Sequence, residues 1–267
     1  MNRDVSVGLL KLSVIGAAAG LLGGFFGVGG GIILVPLLIW VGFDQHRAHA
    51  TSLASFIVIA TAGAVSYGLA GDVDLRVGLV VGVGGIIGSV IGASVMNRMS
   101  ARSLGIAFAL VLVAAGLRMV FGGDPLPGTS EFDVTTQLAV ALGIGLVSGL
   151  FAGLVGIGGG VVIVPAAVLF LGLDQHVAQG TSLVAIVLTA IAGSVVNVRN
   201  RRVRLKDSML IGAGGVVGTL VGSRLALGVD GQTLSVAFGC FVLFVAARSL
   251  YRIFRPRVDQ SVPVSSD

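Results

Sequence analysis

The chain contains the same glycine- and proline-bearing segment twice. Residues 27–36 read GVGGGIILVP and residues 156–165 read GIGGGVVIVP, so every glycine and the proline recur at the same place. Repetition of this kind between the two halves of a chain indicates an internal duplication. A duplicated chain folds as two related units, and this constrains its architecture more than any single helix prediction does.

The similarity between the halves extends over nearly the whole sequence. After one inserted residue the matched segments are GFDQH with GLDQH and TSL with TSL, at residues 42–46 and 172–176 and at residues 51–53 and 181–183. Downstream glycines keep the same register, with Gly82, Gly84 and Gly85 falling on Gly212, Gly214 and Gly215. We predict one membrane domain with a first repeat over residues 1–121, a linker over 122–132 and a second repeat over 133–267.

Composition places these repeats in a lipid bilayer. Of the 267 residues, 55% are apolar and 11% are charged, whereas soluble domains carry roughly 25% charged residues. Several nearly uncharged stretches approach the ~20 residues that a helix needs to cross hydrocarbon: residues 77–95, 103–117, 134–155, 183–196 and 232–247. The 43 glycines suit close packing of membrane helices. We therefore predict an all-α integral membrane protein.

The loops of the two halves carry opposite charge. Residues 72–76 read DVDLR, whereas the equivalent residues 202–206 read RVRLK. Because cytoplasmic loops collect Lys and Arg, the second loop is expected inside and the first outside. This predicts two repeats of inverted topology in the inner (plasma) membrane, with the N- and C-termini cytoplasmic.

Inversion requires an odd number of crossings in each repeat. Residues 12–26 and 32–41 correspond to helices of roughly 22 and 15 Å, too short to cross a ~30 Å core comfortably. We interpret them as a broken or re-entrant glycine-rich hairpin, followed by three transmembrane helices over about 48–70, 77–96 and 103–120. Crossing by both hairpin arms gives the same parity, so this alternative stays open.

The glycine breaks are the candidate substrate site. Non-helical backbone at membrane depth persists only where it is buried in protein or lines a cavity, and helix N-termini attract anions. The predicted ends begin at Ile32 and Val161, after glycines that permit positive φ and close approach of a ligand. The glycines concerned are Gly29, Gly30, Gly31, Gly158, Gly159 and Gly160. The alternative is that they only allow close helix packing.

Hydroxyl and titratable residues complete the candidate set. Four hydroxyl side chains are expected either to face the substrate or to cap a helix: those of Thr51, Ser52, Thr181 and Ser182. A proton-coupled mechanism would use groups at the two mouths, namely His46, His176, Asp44 and Asp174. His49 has Gln179 as its counterpart, which weakens any paired-metal interpretation.

Other functional classes lack support in the sequence. There is no Ser-His-Asp set, no paired carboxylate motif and no His/Cys cluster with metal-binding spacing, so neither an enzyme nor a cofactor is expected. The Arg residues flank helices without interleaved aromatic residues, which argues against nucleic acid. The expected partners are a small anion, the lipid bilayer and, with coupling, protons. The sequence does not determine the oligomeric state.

At these residues the sequence resembles the TauE/SafE sulfite-exporter family, also called the toluene sulfonate uptake permease family. The pattern Gly-x-Gly-Gly-Gly, an apolar arm with Pro and then Ala-x-x-Thr-Ser-Leu is present at residues 27–53 and again at 156–183. The resemblance implies a permease for small sulfur-containing or organic anions such as sulfite, thiosulfate or sulfonates. We expect a secondary transporter with alternating access, and the alternative is an anion channel.

Overall fold

The computed structural model is entirely helical over the residues that it describes, 8–95, 101–122, 133–155, 159–199 and 203–254. Within these ranges the ten helices are α1 Leu9–Phe26, α2 Gly31–Trp40, α3 Gln45–Ala70, α4 Leu75–Val95, α5 Ala101–Phe121, α6 Val134–Val155, α7 Gly160–Leu171, α8 Gln175–Arg199, α9 Leu205–Leu227 and α10 Gly231–Phe254. Seven of them are long and apolar enough to cross a membrane, namely α1, α3, α4, α6, α8, α9 and α10. The prediction of an all-α, multi-pass membrane protein is confirmed.

The first arm of the first glycine-rich hairpin is longer than the sequence suggested, whereas the first arm of the second hairpin has the bounds of the apolar stretch 134–155. Helix α1 has 18 residues and α6 has 22, or about 27 and 33 Å at ~1.5 Å per residue, so each is long enough to cross. The second arms are short as expected, with 10 residues in α2 and 12 in α7. Pro36 and Pro165 lie inside these two helices. The short helices begin at Gly31 and Gly160, one residue before the predicted starts.

Aspartate side chains cap the N-termini of several long helices. The Asp44 side chain accepts a hydrogen bond of 3.0 Å from the Arg47 amide at the start of α3, and Asp74 caps α4 in the same way through Val77. At α10, hydrogen bonds from Thr233 lower the pKa of the exposed Asp230 carboxyl. A carboxylate suits these positions because it satisfies amides that have no partner within the helix.

Helices from the first half of the chain pack on helices from the second half. The principal pairs are α1 with α9, α4 with α6, α5 with α10 and α3 with α8. Helices α1 and α9 run parallel, since Gly16, Gly20 and Gly24 face the backbone of Ile211, Gly215 and Thr219 in the same order. Helices α4 and α6 are also parallel, with Gly84, Gly88 and Gly92 facing Leu142, Leu146 and Leu150. The halves are therefore interlocked.

Glycine makes these two contacts possible. A side chain at Gly20 would overlap the carbonyl group of Gly215, and one at Gly218 would overlap that of Ala17. With hydrogen alone at these positions the backbones approach closely, which favours van der Waals packing and weak Cα–H···O contacts. The Thr219 hydroxyl adds a hydrogen bond of 3.0 Å to the carbonyl oxygen of Gly20.

We predict that Gly20→Ala destabilises the protein, whereas Gly143→Ala does not. The added methyl group at Gly20 meets the Gly215 carbonyl, while nothing lies within 4 Å of the equivalent position at Gly143. Overpacking of this kind costs about 1–3 kcal/mol. Thermal melting of both purified variants in detergent measures the difference. Equal melting temperatures would show that the α1–α9 contact is looser than described.

Candidate functional site

The first glycine segment forms a tight left-handed turn between α1 and α2. Gly27, Gly29 and Gly30 have φ values of 67°, 70° and 78°, a region that residues with a Cβ rarely adopt. The amide of Val28 donates to the carbonyl of Gly23 at 3.1 Å, which closes the end of α1. Glycine is thus required at this break by backbone conformation.

This turn lies inside the helix bundle. Gly24 faces Thr219, which precedes the end of α9 at Leu227 by two helical turns. The chain then folds back so that Gly30 approaches the carbonyl oxygen of Ala19, within α1. Helix α2 consequently begins beside the middle of α1 and its N-terminus is buried.

The second glycine segment meets the first. A Cβ atom added at Gly160, where α7 begins, would lie 2.7 Å from the Cα atom of Val28 and 2.9 Å from Cδ1 of Ile186. One added at Gly29 would lie 3.2 Å from Cγ2 of the same Ile186. The two breaks therefore converge on α8.

The two breaks differ in conformation. Gly159 has a φ of −70° and Gly160 is helical, so neither reproduces the positive φ of the first turn. Gly31 is also helical. Gly158 lies outside the described residues. The expectation of positive φ thus applies to Gly29 and Gly30 and not to Gly31, Gly159 or Gly160.

The predicted hydroxyl residues lie in the second turn of α3 and α8, so the helix-capping interpretation is wrong. Ser52 donates to the His49 carbonyl at 2.9 Å. Ser182 shares its hydrogen between the carbonyl oxygens of Gly27 and of Gln179, the latter at 2.8 Å. Because each hydroxyl has one hydrogen, both serines are committed to backbone oxygens. Ser182 thereby ties α8 to the first glycine turn.

The two threonines have different surroundings. Thr181 Oγ1 accepts a hydrogen bond of 2.9 Å from the Asp74 amide, which joins α8 to the loop before α4. Thr51 Oγ1 is fully buried without a hydrogen-bond partner among the described residues. Of the four predicted hydroxyls, that of Thr51 is the one whose oxygen neither donates nor accepts a hydrogen bond within the described residues.

Two glutamines on α8 were not among the predicted site residues. The hydroxyl of Tyr67 lies 2.7 Å from Oε1 of Gln179 and 3.0 Å from the carbonyl oxygen of Gly24, and all three groups are buried. Gln175 lies one turn earlier on the same face of α8 and is 4% exposed. The sequence signal for both was their spacing from Ser182, since residues 175, 179 and 182 share one helix face.

The predicted proton-binding residues lie away from the glycine segments. His46, Asp44 and Asp174 are exposed, and Asp44 pairs with Arg47 at 3.3 Å. The His176 Nε2 atom lies 3.1 Å from the carbonyl oxygens of both Ala226 and Val229, at the end of α9. The structure does not bring these four residues together.

The buried polar groups around the breaks are neutral. Among the described residues, the buried polar side chains belong to Ser, Thr and Gln, together with the hydroxyl of Tyr67. The described residues also contain no cluster of three metal-binding side chains. A separate apolar depression of about 320 Å³ between α3, α4 and α8 is lined by Thr61, Ala64, Val65, Leu79, Val184, Val187 and Leu188. It does not include either glycine segment.

Fold and site together define a multi-pass helical membrane protein with two converging backbone breaks. Residues 2–119 and 141–266 match the family model described as sulfite exporter TauE/SafE. The chain therefore belongs to the TauE/SafE sulfite exporter family. It is a membrane transporter and not an enzyme, as the sequence resemblance implied.

Two of the individual relatives cover most of the chain, and a third covers less than half of it. A probable membrane transporter protein, YunE, of Bacillus subtilis is 25% identical over 90% of this chain and 96% of its own length. A probable membrane transporter protein of Xylella fastidiosa is 28% identical over 90% and 92%. The Arabidopsis thaliana sulfite exporter TauE/SafE family protein 1 is 30% identical over 40% of this chain and 24% of its own length.

We predict that Gly30→Ala destabilises the fold and that Gly159→Ala is tolerated. At Gly30 the new side chain combines positive φ with overlap of the Ala19 carbonyl, and left-handed backbone alone costs a residue with a Cβ roughly 1–2 kcal/mol. At Gly159 it meets Cδ1 of Ile163 at 3.3 Å, the end of a side chain that can shift. Thermal melting separates the variants, and an equally stable Gly30→Ala would contradict the turn geometry.

Proposed function

We propose that the protein is a secondary transporter that moves small sulfur-containing or organic anions, such as sulfite, thiosulfate or sulfonates, across the plasma membrane by alternating access. The observation that carries this proposal is the meeting of Gly160 with Val28 inside the bundle, next to Ile186. Two short helices, α2 and α7, begin at this meeting point. The substrate site comprises the glycines of both breaks together with Ile32, Val161, Thr51, Ser52, Thr181 and Ser182.

The electrostatics of this region favour an anion. Each helix N-terminus carries roughly half a positive charge and unpaired amide hydrogens, and the described buried side chains add no carboxylate to offset them. They add no ammonium or guanidinium group either. A small oxyanion held by several neutral donors suits such a site better than a cation does.

The family relationship supports the substrate class. The Arabidopsis relative bears the name of a sulfite exporter family protein, and the matched family carries the same description. Sulfite and chemically related oxyanions are therefore the first candidates. Transport direction is a separate property of the coupling ion and gradient.

Helix directions support two inverted repeats. Since α1 and α9 run parallel, Lys11 near the start of α1 and Lys206 near the start of α9 lie at the same end of the bundle. Since α4 and α6 run parallel, Asp74 and Asp133 lie together at the starts of those helices. Ser55, near the start of α3, donates to the Ser208 carbonyl near the start of α9, whereas Asp74 follows the other end of α3. The lysines and these aspartates therefore lie at opposite ends of the bundle, and the lysine end is proposed to be cytoplasmic.

Close contacts at the breaks favour a transporter over a continuously open channel. Phe26, at the end of α1, stacks on Phe241 with ring centroids 4.5 Å apart and contacts Phe238 at 5.9 Å. Together with the Gly160–Val28 contact, these rings close the region between the halves. Movement of one half against the other would open it alternately to each side. His176 and His46 are proposed to take part in any proton coupling, at opposite mouths.

We predict saturable uptake of sulfite or thiosulfate into sealed vesicles that contain the purified protein. An imposed pH gradient should change the rate if protons are coupled, and inorganic cations of similar size should not compete. Carboxylates and sulfonates in the same panel define selectivity. Conductance that rises linearly with anion concentration would favour a channel, and competition by cations would contradict the anion site.

We also predict that residues 76 and 206 lie on opposite sides of the membrane. Arg76 and Lys206 are exposed at the starts of α4 and α9, so Arg76→Cys and Lys206→Cys can each be labelled in a Cys240→Ser background. An impermeant maleimide should reach position 76 from outside and position 206 after the inner face is opened. Labelling of both positions from one side would rule out inverted topology.

A further inference from the structure

One face of α8 carries buried amide atoms that have no hydrogen-bond partner. These atoms are both amide atoms of Gln175 and the Nε2 atom of Gln179, in side chains that are 4% and 0% exposed. Such groups are rare in folded proteins because they lose their hydrogen bonds to water without replacement. Two unsatisfied amides one turn apart therefore require an explanation.

The duplication shows that the fold itself does not require these amides. Gln45, the equivalent of Gln175 in the first half, is exposed at the start of α3. The position equivalent to Gln179 holds His49, and Asn197, equivalent to Tyr67, donates to its own helix at Gly193. The buried amide pair is thus a feature of one half alone.

Gln179 lies directly against the first glycine turn. A Cβ atom at Gly27 would lie 2.6 Å from both Cα and Cβ of Gln179. Ser182, less than one turn further along α8, donates to the Gly27 carbonyl. The Tyr67 hydroxyl shares its one hydrogen between Gln179 Oε1 and the Gly24 carbonyl oxygen, and in this orientation of the amide the NH₂ group of Gln179 has no partner.

We infer that the side-chain amides of Gln179 and Gln175 bind the oxyanion substrate, with Tyr67 as the residue that positions Gln179. This inference rests on the proposed transport function and assigns donors that neither glycine segment supplies. The NH₂ group of Gln179 donates to a substrate oxygen beside the Gly27 turn. Gln175 supplies a second donor one turn nearer to the start of α8, so substrate that enters from this end meets Gln175 first.

The test uses the intact protein with Gln179→Leu, Gln175→Leu and Gln179→Glu, and Gln45→Leu as the matched control at the exposed equivalent position. Melting temperature is measured without anion and with sulfite or thiosulfate, alongside KM for uptake into vesicles. A structural role predicts loss of stability. A substrate role predicts unchanged or higher melting temperature without anion, because Leu leaves no unpaired polar group.

We expect each Leu variant to raise KM by roughly tenfold to a hundredfold, in line with loss of a hydrogen bond to a charged acceptor. Gln179→Glu, of nearly the same size, should abolish the anion-induced rise in melting temperature by like-charge repulsion. Tyr67→Phe should raise KM by a smaller factor, and Gln45→Leu should leave it unchanged.

If both Leu variants transport the anion with the KM of the wild type, the assignment of these amides is overturned and the proposed function still stands. If the Leu variants melt at a lower temperature without anion and keep the same KM, the glutamines stabilise the fold and do not bind substrate. Absence of anion transport and of any anion-induced stabilisation in the wild type would overturn both proposals.

Discussion

Close approach of backbones across the α1–α9 and α4–α6 pairs is the constraint on which the rest of the structure depends. Water is absent from the bilayer interior, so helices associate through packing, and glycine allows that packing to become tight. Gly20 against Gly215 and Gly88 against Leu146 are contacts that no larger residue could make without displacement. Because each pair joins both halves, neither half has a complete set of packed faces alone. The parallel direction of each pair also sets which loops share an end of the bundle.

Glycine has a second task at the break between α1 and α2, where conformation matters more than volume. Positive φ at Gly27, Gly29 and Gly30 turns the chain back within the bundle. Backbone carbonyls beside the break accept hydrogen bonds from neighbouring side chains. Tyr67 contacts the Gly24 carbonyl and Ser182 contacts that of Gly27. Irregular backbone at membrane depth is tolerated for this reason. Of the four hydroxyls that the sequence nominated as substrate donors, that of Ser182 therefore serves to hold the break together.

Particular elements show how far the sequence could be interpreted. Helices α3, α4 and α5 were predicted to within about three residues, because apolar length and loop charge delimit a spanning helix. Helix α1 was underestimated, since the predicted arm began at residue 12 and the helix in the structure begins at Leu9. The role of Ser182 was missed because a hydroxyl at that spacing is compatible with a cap, a ligand or a bond to another segment.

The sequence by itself determined a multi-pass helical protein with two breaks, two sets of helices and a specific family, because length, apolarity and duplication are written along the chain. Tertiary structure alone decided which helices pair, that Gly160 meets Val28, and that Gln179 is buried with a free amide beside Gly27. These facts depend on contacts between residues far apart in the chain, from 58 positions for Gly88 and Leu146 to 152 positions for Gly27 and Gln179. Local pattern carries no information on them, because the partner of each side chain is chosen by the packing of the whole bundle.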